Sequence, residues 1–172
     1  MIMSLTGAAM VVLGSCGKEN GGGPAGPDGG EKEVEMKFFT TGTSATRAEI
    51  PAENELKDIT LLVFEGDAAT SKFLYSRYAW RTTAGENRFK TTLRMGNGLT
   101  IYFVANAKSL IEGLEAADKL VEGVTTWAQA GELLILDTPT GFDLAGKGLP
   151  MWGKKSGVTI ADAPQNDLET VK

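Results

Sequence analysis

Histidine is absent from the 172 residues, and cysteine occurs once, at Cys16. Without imidazole the chain has no base for a Ser/His/Asp triad, no Cys/His pair and no histidine-bearing zinc site. Most common hydrolase chemistry is excluded on that ground. Basic charge is scarce as well, since 17 Lys and Arg against 22 Asp and Glu leave a net charge of -5. A general nucleic-acid surface needs a basic stripe to displace counterions, so nucleic acid is not an expected partner. The acidic balance reads as a surface that keeps the protein soluble. Long hydrophobic runs are missing too. The apolar stretch from Leu5 to Leu13 is far short of the ~20 residues that a membrane-spanning helix needs.

What that stretch does fit is the hydrophobic region of a signal peptide. It closes on Leu13-Gly14-Ser15-Cys16, a leucine three places before a cysteine with two small residues between, the pattern of a bacterial lipobox. Lipid is expected on the sulfur of Cys16, with the chain cut before it, so residues 1–15 are the leader. The alternative is a free thiol, reactive or paired between molecules. Each acyl CH₂ buried in a bilayer contributes about 0.8 kcal/mol, and a diacylglycerol supplies the two chains that stable anchoring takes. No Lys or Arg lies between Met1 and Ser15, although export signals begin with positive charge. A natural start a few residues upstream is therefore expected.

Residues 16–32 are dominated by Gly21-Gly22-Gly23-Pro24-Ala25-Gly26-Pro27-Asp28-Gly29-Gly30, which cannot bury enough apolar surface to offset the entropy of ordering. They read as a flexible linker. The remainder, 33–172, has room for one domain with a real core. In Glu33-Val34-Glu35-Met36-Lys37-Phe38 the apolar residues fall on every second position, placing Val34, Met36 and Phe38 on one face of a strand. The segment from Thr41 to Asn54 lacks periodicity and reads as an exposed loop around Arg47.

Further strands are expected over Lys57–Glu65, apolar on both faces and so covered on both sides, over Phe73–Trp80, over Asn87–Met95 with Phe89 and Leu93 inward, and over Leu99–Ala105. Met95-Gly96-Asn97-Gly98 is a hairpin signal between the last two. From Ala107 to Leu136 the period changes to three and four, predicting two short helices split near Gly123. Two short β-like pieces follow, Leu149–Trp152 and Gly157–Ile160, and Leu168–Lys172 enters another strand. The count predicts a β-sandwich with a helical insertion around 108–136.

Candidate chemistry is thin. Gly148-Leu149-Pro150-Met151-Trp152-Gly153-Lys154-Lys155 nearly matches a phosphate-binding loop, but Lys155 replaces the Ser or Thr that would hold magnesium and a strand follows where a helix should open. Glu112, Glu115, Asp118 and Glu122 have the spacing of the outer face of an amphipathic helix. Tyr75, Tyr78 and Trp80 offer either a sugar-stacking platform or cross-strand packing. No catalytic residue, metal ligand or cofactor site is assigned, and an enzyme is not expected.

Three segments behind the lipobox carry a resemblance: Thr46-Arg47-Ala48, Glu55-Leu56-Lys57-Asp58-Ile59-Thr60-Leu61-Leu62-Val63-Phe64, and Ile101-Tyr102-Phe103-Val104-Ala105-Asn106-Ala107, with Leu149-Pro150-Met151-Trp152-Gly153 later. Together they resemble the fimbrillin family, the structural subunits of type V pili. The resemblance covers the chain but only the N-terminal half of a typical member, so a missing C-terminal domain is expected. It implies a Greek-key, transthyretin-like β-sandwich, export as a lipoprotein to the outer membrane, and cleavage by an arginine-specific protease between Arg47 and Ala48. The cut would release Cys16 to Arg47 with the strand bearing Val34, Met36 and Phe38. That strand would be the leading edge of its sheet, and its loss would leave unpaired N-H and C=O groups for another subunit's strand to fill. The expected partners are other fimbrial subunits, lipoprotein processing enzymes, that protease and, through lipid, the outer membrane. A non-polymerising anchor or tip subunit, or a surface lipoprotein binding a glycan or host protein, is the competing expectation.

Overall fold

The computed structural model describes residues 30–39, 55–84, 86–134, 148, 150–162 and 167–171. Cys16, Arg47, Ala48 and the linker glycines before Gly30 lie outside the described residues. Among the described residues, seven strands and two helices follow in the order β1 (Glu31–Phe39), β2 (Ile59–Phe64), β3 (Phe73–Arg81), β4 (Arg88–Arg94), β5 (Gly96–Ala105), α1 (Lys108–Ala116), α2 (Trp127–Leu133), β6 (Met151–Ile160) and β7 (Asp167–Val171). The strands pair in the order β6-β5-β2-β3-β4-β1-β7, all antiparallel except the last pair. The architecture is mainly β, a curled Greek-key sandwich with a short helical insertion.

The curl turns at β3 and β4, which share only the Cα pairs Trp80↔Lys90 and Arg81↔Phe89. One half of the sheet then faces the other across a core that includes Val34, Met36, Ile59, Leu61, Val63, Phe89, Leu93, Ile101 and Phe103. Leu62 and Phe64 point the other way, into a second cluster with Tyr102, Val104, Ile111, Leu114 and Ala130. So β2 is buried along its whole length, as its two-sided apolar pattern requires. A register shift between Val63 and Phe64 sends Phe73 to the helical side while Tyr75 stays in the first core.

The helices form for local reasons. In α1 the apolar residues Ile111 and Leu114 share one stripe, and both are buried. Ala107 provides no side-chain cap, but the Asp58 carboxylate accepts hydrogen bonds from the backbone N-H of Ala107 (3.2 Å) and Lys108 (3.1 Å). A negative group thus sits where the helix dipole favours one. In α2, Thr126 and Gln129 form a capping box.

Two features differ from the sequence expectation. Asn97-Gly98 does not close a hairpin, because β4 pairs with β1 and β3 whereas β5 pairs with β2 and β6. Gly98 instead has φ +66° where the β5-β6 register shifts between Gly96 and Leu99. The positive φ that the dipeptide permits is spent on an irregularity that lets the chain cross between the sandwich halves. The two pieces expected over Leu149–Trp152 and Gly157–Ile160 are likewise not separate, because a single strand, β6, runs unbroken from Met151 to Ile160. Gly157, at φ +68°, carries the backbone through its middle.

Tyr102 stacks on Trp127 in the second cluster, with ring centroids 3.5 Å apart and planes 13° from parallel. Burial, with the Asp67 charge adding to it, pushes the Tyr102 phenol up from 10.0 to about 12. A raised acid holds its proton longer in the folded state, so its stabilising share is complete below pH 10 and is lost as pH rises through 12. Tyr102→Phe is expected to remove part of the loss of stability over that window and a phenolate transition near pH 12, read by denaturant unfolding and ultraviolet titration.

Candidate functional site

The first strand lies inside its sheet. β1 pairs with β4 in antiparallel register from Glu31↔Arg94 to Lys37↔Arg88, and with β7 in parallel register from Glu35↔Asp167 to Phe39↔Val171. The leading edge expected from the sequence is therefore corrected: β7 takes the free side of β1, and β6 and β7 border the sheet. The strand also starts at Glu31, two residues into the stretch read as linker.

Its inward row is Val34 and Met36, each fully buried, and Phe38, partly buried. Phe38 meets Phe89 and Phe103 edge to face, both at 5.6 Å between centroids. Burying Val34 and Met36 contributes roughly 3–6 kcal/mol of transfer free energy by the usual 1.5–3 kcal/mol per side chain. The main-chain ladders on both sides add to it.

The outward row is acidic and meets basic side chains. Arg77 Nη2 donates to Glu31 Oε1 at 2.5 Å, Lys90 Nζ to Glu33 Oε1 at 2.7 Å, and Arg88 Nη1 to Glu35 Oε1 at 3.3 Å. The hydrogen bond from Arg77 holds the Glu31 carboxyl below its ordinary range, and Glu33 pushes the Lys90 ammonium up. These pairs are exposed, so each contributes little by itself.

At Glu55, ahead of β2, a side-chain latch holds the chain. Asn106 Oδ1 accepts from Lys57 N (2.8 Å), Asn106 Nδ2 donates to Glu55 O (2.8 Å), and Asn106 N donates to Asp58 O (3.1 Å). Asn106 itself has φ +57°, a left-handed conformation that Asn tolerates better than most residues. Gly148, at φ +75°, packs so closely that an added Cβ would stand 2.6 Å from Asn106 Nδ2. Sequence reading missed this latch. Its one signal was an Asn directly after a strand.

A family model for the major fimbrial subunit protein (FimA) matches residues 33–169, from within β1 to within β7. The chain belongs to that family. Among solved structures, it is similar to the tip fimbrial protein Mfa3 from Porphyromonas gingivalis with C-terminal truncation, at 12% identity and a TM-score of 0.48, over 81% of this chain and 48% of that one. The chain thus spans about half the length of that structure. No curated protein matches the sequence.

Other candidates in this fimbrial chain resolve into packing. Tyr75 is buried in the first core, whereas Tyr78 and Trp80 are exposed on the opposite face of β3, so the three do not form one platform. Lys108 Nζ sits 5.0 Å over the Tyr78 ring. Glu112 pairs with Lys108, Glu115 accepts from Ser76, and Glu122 pairs with Arg94, each with a separate partner and no shared centre. Lys154 and Lys155 lie within β6, so no helix opens after them to receive a phosphate. An apolar groove of about 480 Å³ is lined by Tyr102, Val104, Leu110, Trp127, Met151 and Trp152 among others. Among the described residues no cluster of side chains could hold a metal ion, and no helix is long and apolar enough to cross a membrane.

Two substitutions test the slot and the latch. Met36→Ala should cost about 2–5 kcal/mol, the range for emptying a buried methionine site, measured as a shift in urea unfolding. Gly148→Ala should cost clearly more than Gly98→Ala, because nothing lies within 4 Å of a Cβ at Gly98. At Gly98 only the left-handed penalty of about 1–2 kcal/mol applies. Equal losses at the two sites would show that the contact with Asn106 relaxes.

Proposed function

We propose that this chain is a structural subunit of a cell-surface fimbria, or its N-terminal part, exported as an outer-membrane lipoprotein through Cys16 and assembled by strand exchange after cleavage between Arg47 and Ala48. The observation that carries this reading is the position of β1, paired on both sides and buried along its inward row. Membership of the fimbrial subunit family supports the structural role.

Hydrolysis of the Arg47-Ala48 peptide bond by an external protease turns β1 from a tethered strand into a separate peptide. Before the cut, β1 re-pairs after any opening because its effective concentration is high; after the cut, departure dilutes it. Its loss would expose the facing edges of β4 and β7 together with the apolar surface that Val34, Met36 and Phe38 cover. A strand from another subunit can restore both, and that strand brings its own subunit with it. The Asn106 and Asp58 contacts hold residues 55–58 independently of β1. The body downstream of the cut therefore keeps a fixed entry into β2.

The test is limited digestion of the full chain with an arginine-specific protease, followed by N-terminal sequencing and intact mass. The expected product begins at Ala48, while Arg77, Arg81, Arg88 and Arg94, which lie in strands, stay uncut. Arg47→Ala should block both the trimming and fibre formation by the exported subunit. Cleavage first at a strand arginine, or fibres formed as well by Arg47→Ala, would overturn the reading.

A further inference from the structure

The outer face of the slot carries a charge pattern that the inner face does not need. Removing β1 would take Glu31 from Arg77 and both Glu33 and Glu35 from Lys90, the latter approaching at 3.8 Å. Arg88 would keep Glu86 at 3.2 Å, and Arg94 would keep Glu122 at 2.6 Å. The uncompensated positive charge would therefore centre on Lys90 and Arg77, beside the path of an incoming strand.

We propose, resting on the strand-exchange reading above, that this slot selects its incoming strand by charge as well as by apolar pattern. The strand it fits comes from another subunit and carries apolar residues in the register of Val34, Met36 and Phe38. At the alternating positions of Glu31, Glu33 and Glu35 it carries carboxylates. The fourth outward position is different, because Lys37 stands opposite Arg88 in the register, so the acidic requirement covers the first three outward positions only. The apolar row supplies most of the affinity, being buried. The carboxylates discriminate between strands of equal apolar content, since like charges facing each other across a ladder destabilise it while opposite charges stabilise it. Three exposed pairs, each small, together make a preference of about tenfold over a neutral strand.

The test uses the full chain with residues 44–47 replaced by the recognition sequence of a site-specific protease, so that it does not depend on whether Arg47 is a natural cleavage point. After cutting, three fluorescent nine-residue peptides are titrated by anisotropy: the Glu31–Phe39 sequence, the same peptide with Gln at positions 31, 33 and 35, and the same with Lys there. The acidic peptide is expected to bind, the Gln peptide about tenfold more weakly, and the Lys peptide more weakly still. The spread should shrink in 1 M salt, where the screening length is about 3 Å. On a chain carrying Lys90→Glu, a half-buried position outside both apolar clusters, the ranking of acidic and Lys peptides should narrow or invert. If the acidic peptide fails to bind, strand exchange itself is overturned, and charge selection with it. If all three bind equally, or if Lys90→Glu leaves the ranking unchanged, charge selection is overturned while strand exchange stands.

Discussion

The double pairing of β1 is the constraint on which the molecule turns. β7 pairs with no described strand except β1, so the first strand joins β7 to the rest of the sheet. Its inward row also contributes to the first core, with Phe38 lodged between Phe89 and Phe103 from opposite halves of the sandwich. Main-chain pairing and apolar burial coincide on one strand of nine residues. A strand so placed is costly to remove and, for the same reason, favourable to replace.

Among the described side chains, the second apolar cluster contains no β1 residue. Leu62, Phe64, Phe73 and Tyr102 pack under the helices on the far side of the sheet, and Trp127 meets both Phe64 and Tyr102. Contacts that do not involve a strand are not lost with it, and stability is distributed unevenly through a fold. The division into two clusters therefore gives β2, β3 and β5 packing that β1 does not share. The Asn106 and Asp58 hydrogen bonds fasten the chain at the boundary between the two, tying residues 55–58 to the start of α1.

Much of this was legible from local pattern. The alternation of Val34, Met36 and Phe38 is a period-two signal that survives any tertiary arrangement, and the two-sided apolar run of β2 required cover on both faces. The change to a three-and-four period after Ala107 likewise located both helices. Asn97-Gly98 misled because a dipeptide encodes a backbone angle and not a partner. The same left-handed glycine serves a hairpin or an irregular strand, and the choice rests on which strands find each other. Tyr75, Tyr78 and Trp80 left two readings open for a related reason, since their alternation puts them on opposite faces of β3 and only the packed sheet decides which face is wet.

By itself the sequence determined the class of the fold, the run of elements and which side chains of a strand share a face, because these follow from periodicity along a few consecutive residues. Only the tertiary structure decided that β1 has a partner on each side, that its three glutamates face Arg77, Arg88 and Lys90, and that Asn106 grips the chain at Glu55. The side-chain contacts among them join residues 46 to 57 positions apart, the β1-β7 ladder joins residues more distant still, and no local period records which distant segments share a ladder.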